Sequence, residues 1–173
     1  MKATLRVVTG ATSLLLSGCA SAWIWSRPSS STSRVEAVVG RPEDVQWSAT
    51  TLEAASTPAH RRVLQQAQAK TIVGEVVDVS CFLQLGKRGA AHSACGQQCV
   101  YNGQPVGLVT DAGELYVFIP EEHHPRRDGQ ATLKNRFAEL MGKRVQVSGM
   151  VTQRRGVLAL FVRTLPVVAS TTP

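Results

Sequence analysis

Between residues 71 and 162 the chain is cut into five short β-branched segments, none long enough to bury its apolar face alone. Thr71-Ile72-Val73-Gly74-Glu75-Val76-Val77-Asp78-Val79 reads as a strand continuing toward Leu85. Residues 105–110 and 114–119 form a second and third strand around Asp111-Ala112-Gly113, residue types a hairpin turn needs. A polar loop follows over 120–130. In 131–141, Leu133, Phe137, Leu140 and Met141 share one helical face, and Gly142 stops the helix. Residues 143–151 alternate polar and apolar side chains, Arg154-Arg155-Gly156 turns the chain, and 157–162 is the last strand. The expectation is a mainly β domain over 71–167: a five-stranded β-barrel with one or two short helices.

The order strand, strand, strand, helix, strand, strand resembles an OB-fold, a Greek-key barrel with a helix between its third and fourth strands. The chain also looks like a loosely defined group of bacterial secreted OB-like proteins. They carry a strand such as Gly74-Glu75-Val76-Val77-Asp78 ahead of a Cys/His cluster. The resemblance implies a fold and no activity, because barrels of this kind host many functions.

Ahead of the barrel, Met1-Lys2-Ala3-Thr4-Leu5-Arg6 is a basic start, 7–16 is mostly apolar or small, and Leu16-Ser17-Gly18-Cys19 closes the run. This is the layout of a signal peptide. The tetrapeptide resembles the lipobox of bacterial lipoproteins, which implies that Cys19 is lipidated (by palmitate among other chains) and becomes the mature N-terminus. Two other readings stay open: cleavage at Ala20-Ser21-Ala22, or retention of 7–25 as a membrane anchor. A multiply acylated cysteine supplies the more than one chain that stable anchoring takes, each buried methylene contributing about 0.8 kcal/mol. Ala20 after the cysteine implies the periplasmic face of the outer membrane in a Gram-negative host.

Net charge is +7, and +5 once Lys2 and Arg6 leave with the leader 1–19. That balance suits anionic envelope components, or an acidic face of a protein partner. A cell-envelope address argues against nucleic acid. Residues 20–58 read as a flexible Ser/Thr/Pro-containing tether, too polar to offset the entropy of ordering. Trp23 and Trp25 would sit at the lipid interface. A short helix is expected over 59–70 behind Pro58, and a disordered tail over 168–173.

Chemistry, where there is any, falls between the first two strands, at Cys81, His92, Cys95 and Cys99. If 90–99 is helical, His92, Cys95 and Cys99 line one edge, and Cys81 leaves the first strand just before them. A Cys₃His set suits zinc, and thiolates also suit copper(I). The competing reading is a disulfide, Cys81 with Cys95 or Cys99, as expected of an oxidising compartment. It would stabilise by about 3 kcal/mol through loop closure. With Cys19 lipidated, three thiols remain, so one disulfide leaves a spare. Gly96 weakens the helix or admits a close neighbour.

Glu121-Glu122-His123-His124 could add metal ligands, though such a run is commonly a solvated loop. Arg126-Arg127, Lys134, Arg136, Lys143-Arg144 and Arg154-Arg155 could make a basic rim, and Tyr116, Phe118 and Phe161 either a stacking surface or core. There is no Ser-His-Asp set, phosphate loop, paired-carboxylate spacing or His-Glu-x-x-His. The first reading is therefore a lipid-anchored cell-envelope binding or assembly module without catalysis. The alternatives are a periplasmic copper- or zinc-binding protein using the Cys/His cluster, and a thiol-redox protein.

Overall fold

The computed structural model describes residues 34–121 and 128–168. Its longest shared element is β2 (Gln68–Asp78), which serves two neighbours. Residues 68–75 pair antiparallel with β5 (Arg144–Arg154), and 75–78 pair antiparallel with β3 (Val106–Val109). Gly74 stands at the change of partner. A Cβ there would lie 2.5 Å from the Val109 carbonyl oxygen, so only glycine lets the two backbones come this close.

The rest of the barrel follows from its turns. β3 and β4 (Leu115–Pro120) form a hairpin whose turn ends on Gly113 at φ +84°. β4 runs parallel to β6 (Val157–Val162), and β6 returns antiparallel to β5. The β5–β6 loop is Arg155 (φ 48°) and Gly156 (φ 85°), the two positive φ values a tight hairpin requires. The order β2-β3-β4-β6-β5, closed by β2–β5, is the five-stranded OB-like barrel expected from the sequence. Val76, Leu108, Val145, Val147 and Leu160 fill it. The helix α5 (Asp128–Ala138) adds Leu133 and Phe137 to the core, with the Phe137 ring 4.2 Å from that of Phe118.

Three expectations are corrected. First, the described part of the tether is folded. Ala37–Val39 forms β1, buried and parallel to the start of β5, with β7 (Val167–Val168) antiparallel on its other edge. The pairing also draws residues 167 and 168 into the fold. Further on, α1 (Ala49–Ala54) is tied down by Glu121: its Oε1 accepts from Ser48 N at 2.7 Å and Thr51 Oγ1 at 2.6 Å. Trp47 stacks edge-on to Phe161 at 5.1 Å and donates to the Leu64 carbonyl at 3.2 Å. Low overall hydropathy concealed a few well-placed anchors; 20–33 lie outside the described residues.

Second, the short helix α2 spans Pro58–Gln65, capped by Thr57, and β2 already begins at Gln68. Residues 68–71 are exposed, so backbone pairing alone makes them strand and no apolar alternation announces it. Third, β2 does not continue to Leu85. Asp78 accepts from Ser80 N at 2.9 Å and caps a helix, α3 (Val79–Leu85), which ends on Gly86 at φ 65°.

Glu121 is 5 % exposed, and its carboxylate holds the segment 48–51 against the barrel. Thr51→Val keeps the shape and removes the hydroxyl donor, and should cost about 1–3 kcal/mol. Urea unfolding of the two proteins measures it; an unchanged midpoint would mean this contact does not hold the segment.

Candidate metal site

The excursion between β2 and β3 is built as α3, a 3-10 turn at Ala90–His92, and α4 (Ser93–Tyr101). The turn carrying His92 is held by Glu75 on β2. Its Oε2 accepts from Arg88 Nε at 3.0 Å and Nη2 at 2.8 Å, while Oε1 accepts from Gly89 N. Gly142 (φ 75°) presses on the other side: a Cβ there would lie 2.7 Å from the Gly89 carbonyl oxygen. That same oxygen accepts from His92 N at 3.0 Å. Gly96 explains itself similarly. A Cβ on it would stand 3.0 Å from Met141 Sδ and 3.3 Å from His92 Cδ2, so the absent side chain lets α4 close over the imidazole.

These contacts bring Asp78, Cys81 and His92 together, with one donor atom from each lying within 4.8 Å of the others. Asp78 is 0 % exposed and His92 7 %. Asp78 Oδ2 and His92 Nε2 face each other at 3.9 Å, and neither has a hydrogen-bond partner. Two buried polar atoms left this way each cost about 1–3 kcal/mol. Asp78 is thus divided: Oδ1 caps α3 and Oδ2 points into the cluster.

The thiols feel this carboxylate. Cys81 is pushed up to about 11, first because its thiol proton is drawn to Asp78, then by burial and by the charges of Asp78 and Cys99. The carboxylate beside the sulfur opposes a thiolate. Cys99 is also raised, by burial first and then by the charge of Asp78, and its thiol interacts with that of Cys81.

Of the residues singled out in the sequence, Cys81 and His92 therefore meet, and Cys99 joins beside Cys81. Cys95 and Cys99 both lie outside the three-residue group; Cys99 is half-buried next to Cys81, and Cys95 is exposed. Among the described residues Cys81, Cys95 and Cys99 are free thiols, so the structure does not contain the expected disulfide of Cys81 with Cys95 or Cys99. Asp78 was missed. The available signal was its position three residues ahead of Cys81, a spacing that puts a capping residue and a first-turn side chain on one edge.

No family model, curated protein or solved structure matches this chain. The site must be read from its own chemistry. Carboxylate, imidazole and thiol are the donor types that zinc accepts. Around a tetrahedral ion bound at about 2.0–2.3 Å, donors sit roughly 3.3–3.7 Å apart. The Asp78–His92 separation of 3.9 Å needs only a small contraction to meet that spacing.

The other candidates do less. Glu121 is structural, and residues 122–127, with His123, His124, Arg126 and Arg127, lie outside the described residues, as does Cys19. Tyr116 and Phe118 are core, not an open stacking surface. Arg136 and Arg144 are paired with Glu139 and Asp111, which reduces the basic rim. Among the described residues no helix is long and apolar enough to cross a membrane.

Asp78→Asn keeps the helix cap but removes the charge facing Cys81. The thiol should then titrate below about 11, toward its ordinary 9.0. The pH dependence of iodoacetamide labelling at Cys81 in metal-free protein reads this directly, and an unmoved midpoint would rule out Asp78 as the cause.

Proposed function

We propose that this protein is a zinc-binding module of the cell envelope, anchored through lipid on Cys19, with Asp78, Cys81, His92 and Cys99 as ligands. The supporting observation is the pair of unpartnered atoms, Asp78 Oδ2 and His92 Nε2, buried 3.9 Å apart beside a thiol. A divalent cation would satisfy both. Cys81 is the third donor of the group, and Cys99 beside it would supply the fourth that a closed, structural site needs. The sequence alternative of a metal protein is thereby favoured over a bare assembly module, with Asp78 taking the place given to Cys95.

Charge favours zinc over copper(I). A divalent ion with the Asp78 carboxylate and the Cys81 and Cys99 thiolates keeps one net negative charge. Copper(I) with the same carboxylate and two thiolates would leave two negative charges in a largely buried place, and burying unbalanced charge is expensive. Copper(I) also prefers an all-sulfur environment, which the carboxylate spoils. Zinc held here would tie α3 to α4 and fix the surface of the excursion. The reading is thus a binding or assembly surface set by a metal, with no catalytic step.

Full-length protein purified with zinc should carry one ion per chain by native mass spectrometry. Cys81→Ser and His92→Ala should each weaken zinc by roughly 100-fold or more, above the loss typical of an outer-sphere partner. Absence of zinc under these conditions, or retention by both variants at the wild-type level, would sink the reading. The anchor is tested separately: Cys19→Ala should abolish incorporation of labelled palmitate and move the protein out of the membrane fraction. Unlabelled wild-type protein would instead remove the anchor from the proposal.

A further inference from the structure

The donors of the excursion are graded in exposure. Asp78 and His92 are buried, Cys81 and Cys99 are half-buried, and Cys95 is exposed. His92, Cys95 and Cys99 fall at i, i+3 and i+7 along one edge of α4, from its cap to its last turn. The two carboxylate- and imidazole-bearing residues have unpartnered atoms aimed into the site from its closed side. That side is shut by Met141 against Gly96 and by the Gly89–Gly142 backbone contact. Among these donors the thiols are the ones solvent reaches, so an ion arriving from outside meets them before the buried pair.

We infer that Cys95 is the capture ligand of this site. It takes zinc from a thiolate-ligated donor at the surface and passes it inward to Cys99, without belonging to the final coordination set. The inference rests on the zinc reading above. Cys95 and Cys99 are four residues apart, a rise of about 6 Å on a helix, so the handover needs side-chain rotation and no movement of α4. The chemistry is ligand exchange. A zinc–sulfur bond to the donor breaks as one to Cys95 Sγ forms, and the Cys95 proton leaves with the freed donor sulfur. The next exchange breaks zinc–Cys95 and forms zinc–Cys99, whose proton returns to Cys95. No oxidation is involved. The partner fitted to this edge is a zinc carrier that holds its ion through exposed thiolates.

The test compares wild-type, Cys95→Ser and Cys99→Ser full-length proteins. Zinc is supplied either as its glutathione complex or from the chromogenic chelator pyridylazoresorcinol, and uptake is followed by stopped flow and by equilibrium competition. Serine at an exposed position leaves the fold intact, which circular dichroism verifies. Cys95→Ser should slow uptake from the glutathione complex by roughly ten-fold while changing affinity less than about three-fold; Cys99→Ser should lose affinity itself. An unaltered rate in Cys95→Ser overturns the inference. So does an affinity loss matching that of Cys99→Ser, which would make Cys95 an equilibrium ligand. Wild-type protein that takes up no zinc from either source overturns the underlying zinc reading instead.

Discussion

The division of β2 between two neighbours is the constraint from which the rest of the molecule is built. Its first part lies on β5 and its last part on β3, so one continuous strand closes the barrel. Because that ladder is fixed, Glu75 and Asp78 have fixed positions at its far end. Glu75 then fastens the loop carrying His92, and Asp78 starts the helix carrying Cys81. The site inherits its geometry from barrel closure through two carboxylates three residues apart. A strand that slipped by one residue would turn each of them to the face opposite its present one.

Much of the barrel was legible because its signals are local. Arg155-Gly156 and Gly113 announce turns, Leu133 and Phe137 mark the inner face of a helix, and residues 144–151 alternate as a half-buried strand should. What escaped was set by distant partners. β1 has only three residues and is a strand because the start of β5 leaves a free edge for it. Thr51 and Trp47 look like scattered residues in a polar stretch until Glu121 and Phe161 meet them.

The site divides along the same line. Cys81, His92 and Cys99 could be picked out by residue type and helical spacing. Asp78 was passed over: its spacing to Cys81 is also that of a plain helix cap, and here it is one. Its second oxygen acquires another role only when the chain returns with His92. Cys95 made the opposite impression: equal to its neighbours by spacing, it differs from them by facing solvent.

The excursion also leaves and rejoins the barrel at a single point. Asp78 pairs with Val106, and Val79 N donates to the Pro105 carbonyl at 3.0 Å, so the stretch from 79 to 105 is pinched shut at its base. Every donor in the cluster other than Asp78 belongs to that pinched stretch. Such an insert could be grafted onto another barrel of this shape only together with its seat: an acidic residue ending the receiving strand, a carboxylate in the place of Glu75, and the Gly142 and Met141 contacts beneath it.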